Sequence, residues 1–171
     1  SKSASTRSSN CVANITGGCV ELNRDFQEFL RSFVEHDVRF LIVGGYALAA
    51  HGHPRYTKDL DVWVWPDPAN ADRILGALDE FGFGSLGLEA TDFLEPGVII
   101  QLGREPQRID LLTFATGLEF GAAFENRVLV EIGGVEVPFL SVDDLRTNKT
   151  ATGRLRDLAD VEDLPPRESD F

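Results

Sequence analysis

The sequence predicts an α+β domain built on a mixed β-sheet flanked by helices, and three observations carry that reading. Helical and strand periodicity alternate as αβαβα from Asn23 to Phe81, and mostly strand-like segments follow. A glycine pair, Gly44-Gly45, closes the first strand, and thirteen residues later a second strand opens with Asp59-Leu60-Asp61. Helix-forming sequence then returns at the C-terminal end, from Ser141 onward.

Each element has a local cause. A first helix is expected from about Asn23 to His36, with Asn23 as N-cap and Phe26, Phe29, Leu30, Phe33 and Val34 on one face. Phe40 to Val43 reads as a short buried strand. Tyr46 to His51 reads as a helix closed by Gly52, with Pro54 beyond it. Strand two runs from Asp59 to Trp65 and stops at Pro66-Asp67-Pro68. Ala69 to Phe81 is helical, with Ile74, Leu75 and Leu78 inward, and Gly82 to Gly87 is a glycine-rich turn region. Val98 to Leu102 and Arg108 to Phe114 are strands joined across Gly103 to Gln107, and a helix near Leu118 to Asn126 follows. Val128 to Ile132 and Val135 to Phe139 form a hairpin across Gly133-Gly134. Ser141-Val142-Asp143-Asp144 caps a helix that stops at Gly153. Leu155 to Leu164 forms the last helix before Pro165-Pro166.

Length and composition bound the class. The 171 residues suit one domain, here residues 21–171, preceded by a Ser-, Asn- and Gly-rich stretch over 1–20 that reads as a flexible tail. No apolar run approaches the roughly 18 residues that span a bilayer, and no signal-peptide pattern opens the chain, so a cytoplasmic protein is expected. Cys11 and Cys19 both lie in the tail and are expected as free thiols rather than a pair. Net charge is −12; Lys2 and Arg7 contribute +2, so residues 21–171 carry −14. Such a domain lacks the electrostatic footprint for a nucleic-acid backbone, which disfavours a nucleic-acid partner. A nucleoside triphosphate is less affected, because a bound metal brings its own charge.

The chemistry-bearing residues are acids. Side chains two apart on a strand share a face, so Asp59 and Asp61 project together. Carboxylates so close repel unless a cation sits between them, and Mg²⁺ or Mn²⁺ with phosphate oxygens is the natural one. The alternative is a solvated strand start. Gly44-Gly45 at a helix N-terminus would let backbone N–H groups approach an anion. Asp110, in Arg108-Ile-Asp-Leu-Leu112, is an acid among apolar strand residues; it needs either an ion or a salt bridge to Arg108 on the same face. His36, His51 and His53 are read as surface or cap residues, since no cysteine or clustered acid supports zinc. Trp63 and Trp65 share the face of Asp59 and Asp61 and are read as core packing rather than base stacking.

Taken together, Val43-Gly44-Gly45-Tyr46-Ala47-Leu48, Arg55-Tyr-Thr57-Lys-Asp59-Leu-Asp61, Asp110 and the segment Lys149-Thr-Ala-Thr-Gly153-Arg154-Leu-Arg-Asp157-Leu-Ala-Asp160 resemble the DNA polymerase beta-like nucleotidyltransferase superfamily. Within it, the text is similar to the bacterial minimal nucleotidyltransferases and the AbiEii-type toxin nucleotidyltransferases. The resemblance spans about Phe26 to Leu164. It implies the nucleotidyltransferase fold with C-terminal helices, and a metal-dependent transfer of NMP from an NTP to an acceptor hydroxyl. Asp59, Asp61 and Asp110 would be the catalytic and metal-binding acids, and Gly44, Gly45 and Thr57 would contact phosphate. Two ions about 4 Å apart would serve an in-line displacement. Lys149 and Arg154 are candidate triphosphate cations; otherwise Lys149 is a solvated helix residue and Arg154 interacts with a helix C-terminus. Asp157 and Asp160 are either part of the toxins' last motif or structural. The implied acceptors are a protein, a small molecule of the aminoglycoside or lincosamide kind, or RNA. The implied partners are a second copy of the chain or a HEPN-type protein of a toxin–antitoxin pair. The alternative from another class is a non-catalytic nucleotide-binding module of the same fold.

Overall fold

A computed structural model describes residues 11–13, 15, 18–52, 59–103 and 108–153. Thr57, Arg154, Arg55, His53, Asp157, Asp160 and the expected helix over 155–164 lie outside these residues.

The core is a six-stranded mixed sheet. Its strands are β3 (Phe40–Val43), β4 (Leu60–Val64), β5 (Ile99–Leu102), β6 (Ile109–Leu112), β7 (Val128–Ile132) and β8 (Val135–Phe139), in the order β5-β6-β4-β3-β8-β7. Strands β4 and β6 are parallel, as are β3 and β8, and the remaining pairs are antiparallel. Strand β3 is buried along its whole length, which explains its uninterrupted Phe-Leu-Ile-Val run.

Helices α1 (Arg24–Glu35) and α3 (Pro68–Phe81) pack beside each other, and Phe33 of α1 meets Phe40 of the sheet edge-on at 5.5 Å. On the opposite face, α4 (Phe120–Glu125) sets Phe120 against Trp63 at 5.1 Å. Trp63 is buried, and Trp65 stacks on Phe120 with the Arg39 guanidinium 5.1 Å from its ring; both tryptophans are packing residues, as expected. Helix α2 (Gly44–Ala50) lies against β3 and β4, and α5 (Val142–Thr152) packs on α2.

The caps account for the boundaries. Asn23 Oδ1 accepts from Phe26 N at 2.8 Å, Asp67 caps α3 with Pro68 at its first position, and Ser141 Oγ accepts from Asp144 N. Gly82 and Gly153 end α3 and α5 in the left-handed conformation. Helix α2 begins two residues earlier than expected and takes in both glycines.

The stretch read as a flexible tail holds structure. Strands β1 (Cys11–Ala13) and β2 (Cys19–Glu21) pair antiparallel, placing Val12 opposite Val20. Both valines are buried against the core, and Ile15 N donates to Ala50 O at 3.0 Å. Three residues a strand are too few to register as periodicity; burial of the valine pair holds the hairpin in place. Cys19 is disulfide-bonded, which corrects the expectation of free thiols. The segment after α3 also carries an unanticipated 3₁₀ turn, Ala90–Phe93, with reciprocal capping between Glu89 and Asp92. No described helix is long and apolar enough to cross a membrane.

Asn70 ties α3 to the sheet. Its side chain is fully buried, accepts from Arg39 N at 2.7 Å, and donates to Arg39 O and Trp65 O at 3.0 and 2.9 Å. Replacing it removes the acceptor of Arg39 N and one of two donors to each of Arg39 O and Trp65 O, which keep their bonds from Trp65 N and Asp67 N. Asn70→Ala is therefore expected to lower stability by roughly 1–3 kcal/mol in a urea titration.

Candidate active site

The parallel register of β4 and β6 sets Asp61 directly opposite Asp110, and Asp61 is in turn opposite Val43 on β3. One row across three strands thus carries two carboxylates and ends one residue before Gly44. Asp59 sits in the bend that leads into β4. Residues expected to act together from Asp59 to Asp110 are brought to one strand end by pairing alone.

Arg108 joins them. Its Nη2 donates to Asp59 Oδ2 at 2.6 Å, while Nε and Nη2 donate to Asp110 Oδ1 and Oδ2 at 3.1 and 3.4 Å. The salt bridge to Arg108, one of the two readings of Asp110, is present, and it extends to Asp59 across 49 residues of sequence. The sequence signal for Arg108–Asp110 was the two-residue spacing; nothing in the spacing pointed to Asp59.

Asp61 accepts no hydrogen bond from Arg108. Its carboxyl is pushed up to about 7, first by burial and then by the charges of Asp110 and Asp59, with Arg108 and Lys149 opposing. Burial also raises Asp110, against the charge and hydrogen bonds of Arg108. Among the described residues, three carboxylates thus share the charges of Arg108 and Lys149.

Gly44 gives Asp61 its room. Its φ is +71°, and a Cβ at this position would collide with Asp61 Oδ2. The glycine is required at least as much by the carboxylate beside it as by any anion. Gly45 follows in the first turn of α2.

Lys149 is only 8% exposed, so the reading of it as a solvated helix residue is corrected. It lies in the last turn of α5, and its charge acts on Asp61. Helix α5 reaches this position because Gly117, at φ +82°, has no side chain: a Cβ there would sit 2.7 Å from the Ala151 methyl. Asn148 Nδ2 donates to Thr116 O at 2.9 Å and fixes the same contact. His51 donates from Nε2 to Leu140 O at 2.8 Å, and His36 lies between Ser32 O and Glu80; neither belongs to the acidic site.

Whether a hard divalent cation suits these residues can be judged from their chemistry. The donors are all carboxylate oxygens, the hard ligands such an ion takes, and Asp61 is a half-buried one beside two other acids. Their present arrangement does not converge: among the described residues, no three carboxylate, imidazole or thiolate groups are set to hold a metal. Arg108 occupies Asp59 and Asp110 instead. The donor set fits such an ion once Arg108 yields its partners.

The fold is that of a nucleotidyltransferase. A solved candidate nucleotidyltransferase from Thermotoga maritima aligns over 82% of this chain and 89% of its own, at 16% identity and a TM-score of 0.56. A nucleotidyltransferase-like antigenic protein from Paracoccidioides brasiliensis aligns over 80% of this chain and 70% of its own, at 15% identity and a TM-score of 0.48. The family itself is given by sequence: residues 21–164 match the model of the nucleotidyltransferase family of unknown function DUF6036, and the chain belongs to that family. No curated protein matches it.

Two measurements check the site. Gly44→Ala is expected to cost about 1–3 kcal/mol in urea unfolding, from the left-handed backbone and displacement of Asp61. The raised carboxyl of Asp61 sets the sign of the pH effect. Between about pH 4 and 7 the folded protein holds a proton that the unfolded chain has lost, so stability falls as pH rises through that window. In metal-free buffer, Asp61→Asn is therefore expected to exceed the wild type by about 1–3 kcal/mol at pH 8, the gap closing towards pH 4. A gap independent of pH would show that Asp61 is not the group responsible.

Proposed function

We propose that the protein is a metal-dependent nucleotidyltransferase that moves an NMP from an NTP to an acceptor hydroxyl. The observation that carries this is the set of three carboxylates at one strand end, in a chain of a nucleotidyltransferase family. Asp59, Asp61 and Asp110 would hold Mg²⁺ or Mn²⁺, which when bound neutralises triphosphate charge and polarises the reacting phosphoryl group. The bond formed is from the acceptor oxygen to the α-phosphorus, and the bond broken is from that phosphorus to pyrophosphate. A site carboxylate, Asp110 in this reading, takes or orients the hydroxyl proton. Lys149, buried and close enough to act on Asp61, supplies positive charge for phosphate oxygens. Gly44 and Gly45 leave the turn beside Asp61 clear of side chains, and the family resemblance assigns further phosphate contacts to Thr57 and Arg154, which lie outside the described residues.

The acceptor follows from the resemblance to minimal and AbiEii-type enzymes: a partner protein of the HEPN kind, a cationic small molecule such as an aminoglycoside, or RNA, with RNA disfavoured by the charge of −12. The chain itself would act as a homodimer or with that partner, in the cytoplasm, where triphosphate is held. One observation favours a second reading, a non-catalytic nucleotide-binding module. Arg108 already balances Asp59 and Asp110, so the acids are not left unpaired for want of a metal.

A thermal-shift series with each NTP, with Mg²⁺ or EDTA, separates the readings from a protein that binds no nucleotide. Transfer of label from α-³²P-NTP to lysate protein, tRNA or aminocyclitol drugs then separates enzyme from module. The expected results are a metal-dependent rise in melting temperature and a labelled product. Asp59→Ala should lose both the rise and, by several orders of magnitude, the rate, while still folding. Unaltered metal-dependent nucleotide binding by Asp59→Ala would sink the metal assignment.

A further inference from the structure

Arg108 has a role that the transfer reaction does not by itself require. Its guanidinium spends three hydrogen bonds on Asp59 and Asp110, the shortest at 2.6 Å, taking Oδ2 of Asp59 and both oxygens of Asp110, and its charge sits where a divalent ion shared by the two acids would sit. Arginine keeps its charge at physiological pH, so the contact is not released by deprotonation. Asp61 has no hydrogen bond from Arg108 and is the one acid of the three that the arginine does not hold. A lone carboxylate holds Mg²⁺ weakly; such sites generally take the ion together with substrate phosphates.

We propose that Arg108 is a resident counter-ion that holds Asp59 and Asp110 in the metal's place, and so makes metal uptake depend on nucleotide. The triphosphate lowers the cost of the exchange in two ways. It brings anionic oxygens that complete the ion's shell, and it offers the displaced guanidinium a planar phosphate partner. The placement of Arg108 suits this: it immediately precedes β6, two residues before Asp110, with a quarter of its side chain reaching solvent. Without the arginine, Asp59 and Asp110 lose the guanidinium they share, and a divalent cation can take its place between them.

The inference rests on the metal-site reading above. Its test is Mn²⁺ binding without nucleotide, by calorimetry and by melting temperature in EDTA against Mn²⁺, for wild type, Arg108→Met and Arg108→Lys. Wild type is expected to gain little from Mn²⁺ alone and much from Mn²⁺ with NTP. Arg108→Met should melt lower in EDTA, bind Mn²⁺ at least about tenfold more tightly than wild type, and recover its melting temperature on Mn²⁺ alone. Arg108→Lys, which keeps the charge but loses the fork, should fall between them. Should the methionine variant fold only with Mn²⁺, that rescue supports the exchange. Mn²⁺ affinity in the lysine variant equal to wild type, with no rescue or gain in the methionine variant, overturns it. If labelled NMP is transferred by wild type while all three proteins bind Mn²⁺ alike, the exchange fails and the function stands. If none takes Mn²⁺ with or without NTP, both fail.

Discussion

The pairing of β4 with β6 in parallel register is the constraint on which the rest of the site depends. It sets Asp61 against Asp110 on neighbouring strands, where backbone hydrogen bonding leaves the two carboxylates no route apart. Like charges so placed destabilise a sheet unless something answers them. Each neighbouring oddity of the structure is an answer. Arg108 takes Asp110 and reaches across to Asp59. Gly44 leaves the space into which Asp61 turns. Lys149 is buried in a position where a lysine is otherwise rare, because its charge lies near Asp61. A hydrophobic pair at 61 and 110 would need none of these.

The fold was legible where local chemistry determines it. Asn23 and Ser141 announced helix starts through side-chain oxygens that accept the backbone donors expected of caps, and Gly133-Gly134 marked the β7–β8 turn. Strand β3 was readable as a continuous apolar run because it is buried on both faces. The β1–β2 hairpin was not legible, since its stability comes from two valines meeting a core assembled elsewhere. No window on the sequence contains that core.

The site divides in the same way. Asp59 and Asp61 stood out as carboxylates two apart on one strand face, Asp110 as an acid flanked by apolar strand residues, and the structure brings the three to one strand end. The contact between Arg108 and Asp59 was invisible, being a product of strand order. Lys149 was readable as a cation but not as a buried one. Its burial depends on Gly117 letting α5 approach to the Ala151 methyl, a tertiary fit that spacing cannot report.

The two site cations accordingly differ in kind. Arg108 precedes the strand that bears Asp110, so its grip follows from the sheet and survives as long as the sheet does. Lys149 arrives on a helix whose docking rests on Gly117 and the Asn148–Thr116 hydrogen bond. The sheet therefore provides the acids and the counter-ion that holds them without metal, while α5 provides the charge felt by Asp61, the one acid that Arg108 leaves unbonded. A small displacement of α5 would change the charge balance at Asp61 and leave Asp59 and Asp110 as they are. Control over this site, whatever partner or ligand exercises it, has its natural point of purchase at the contact between α5 and the loop after β6.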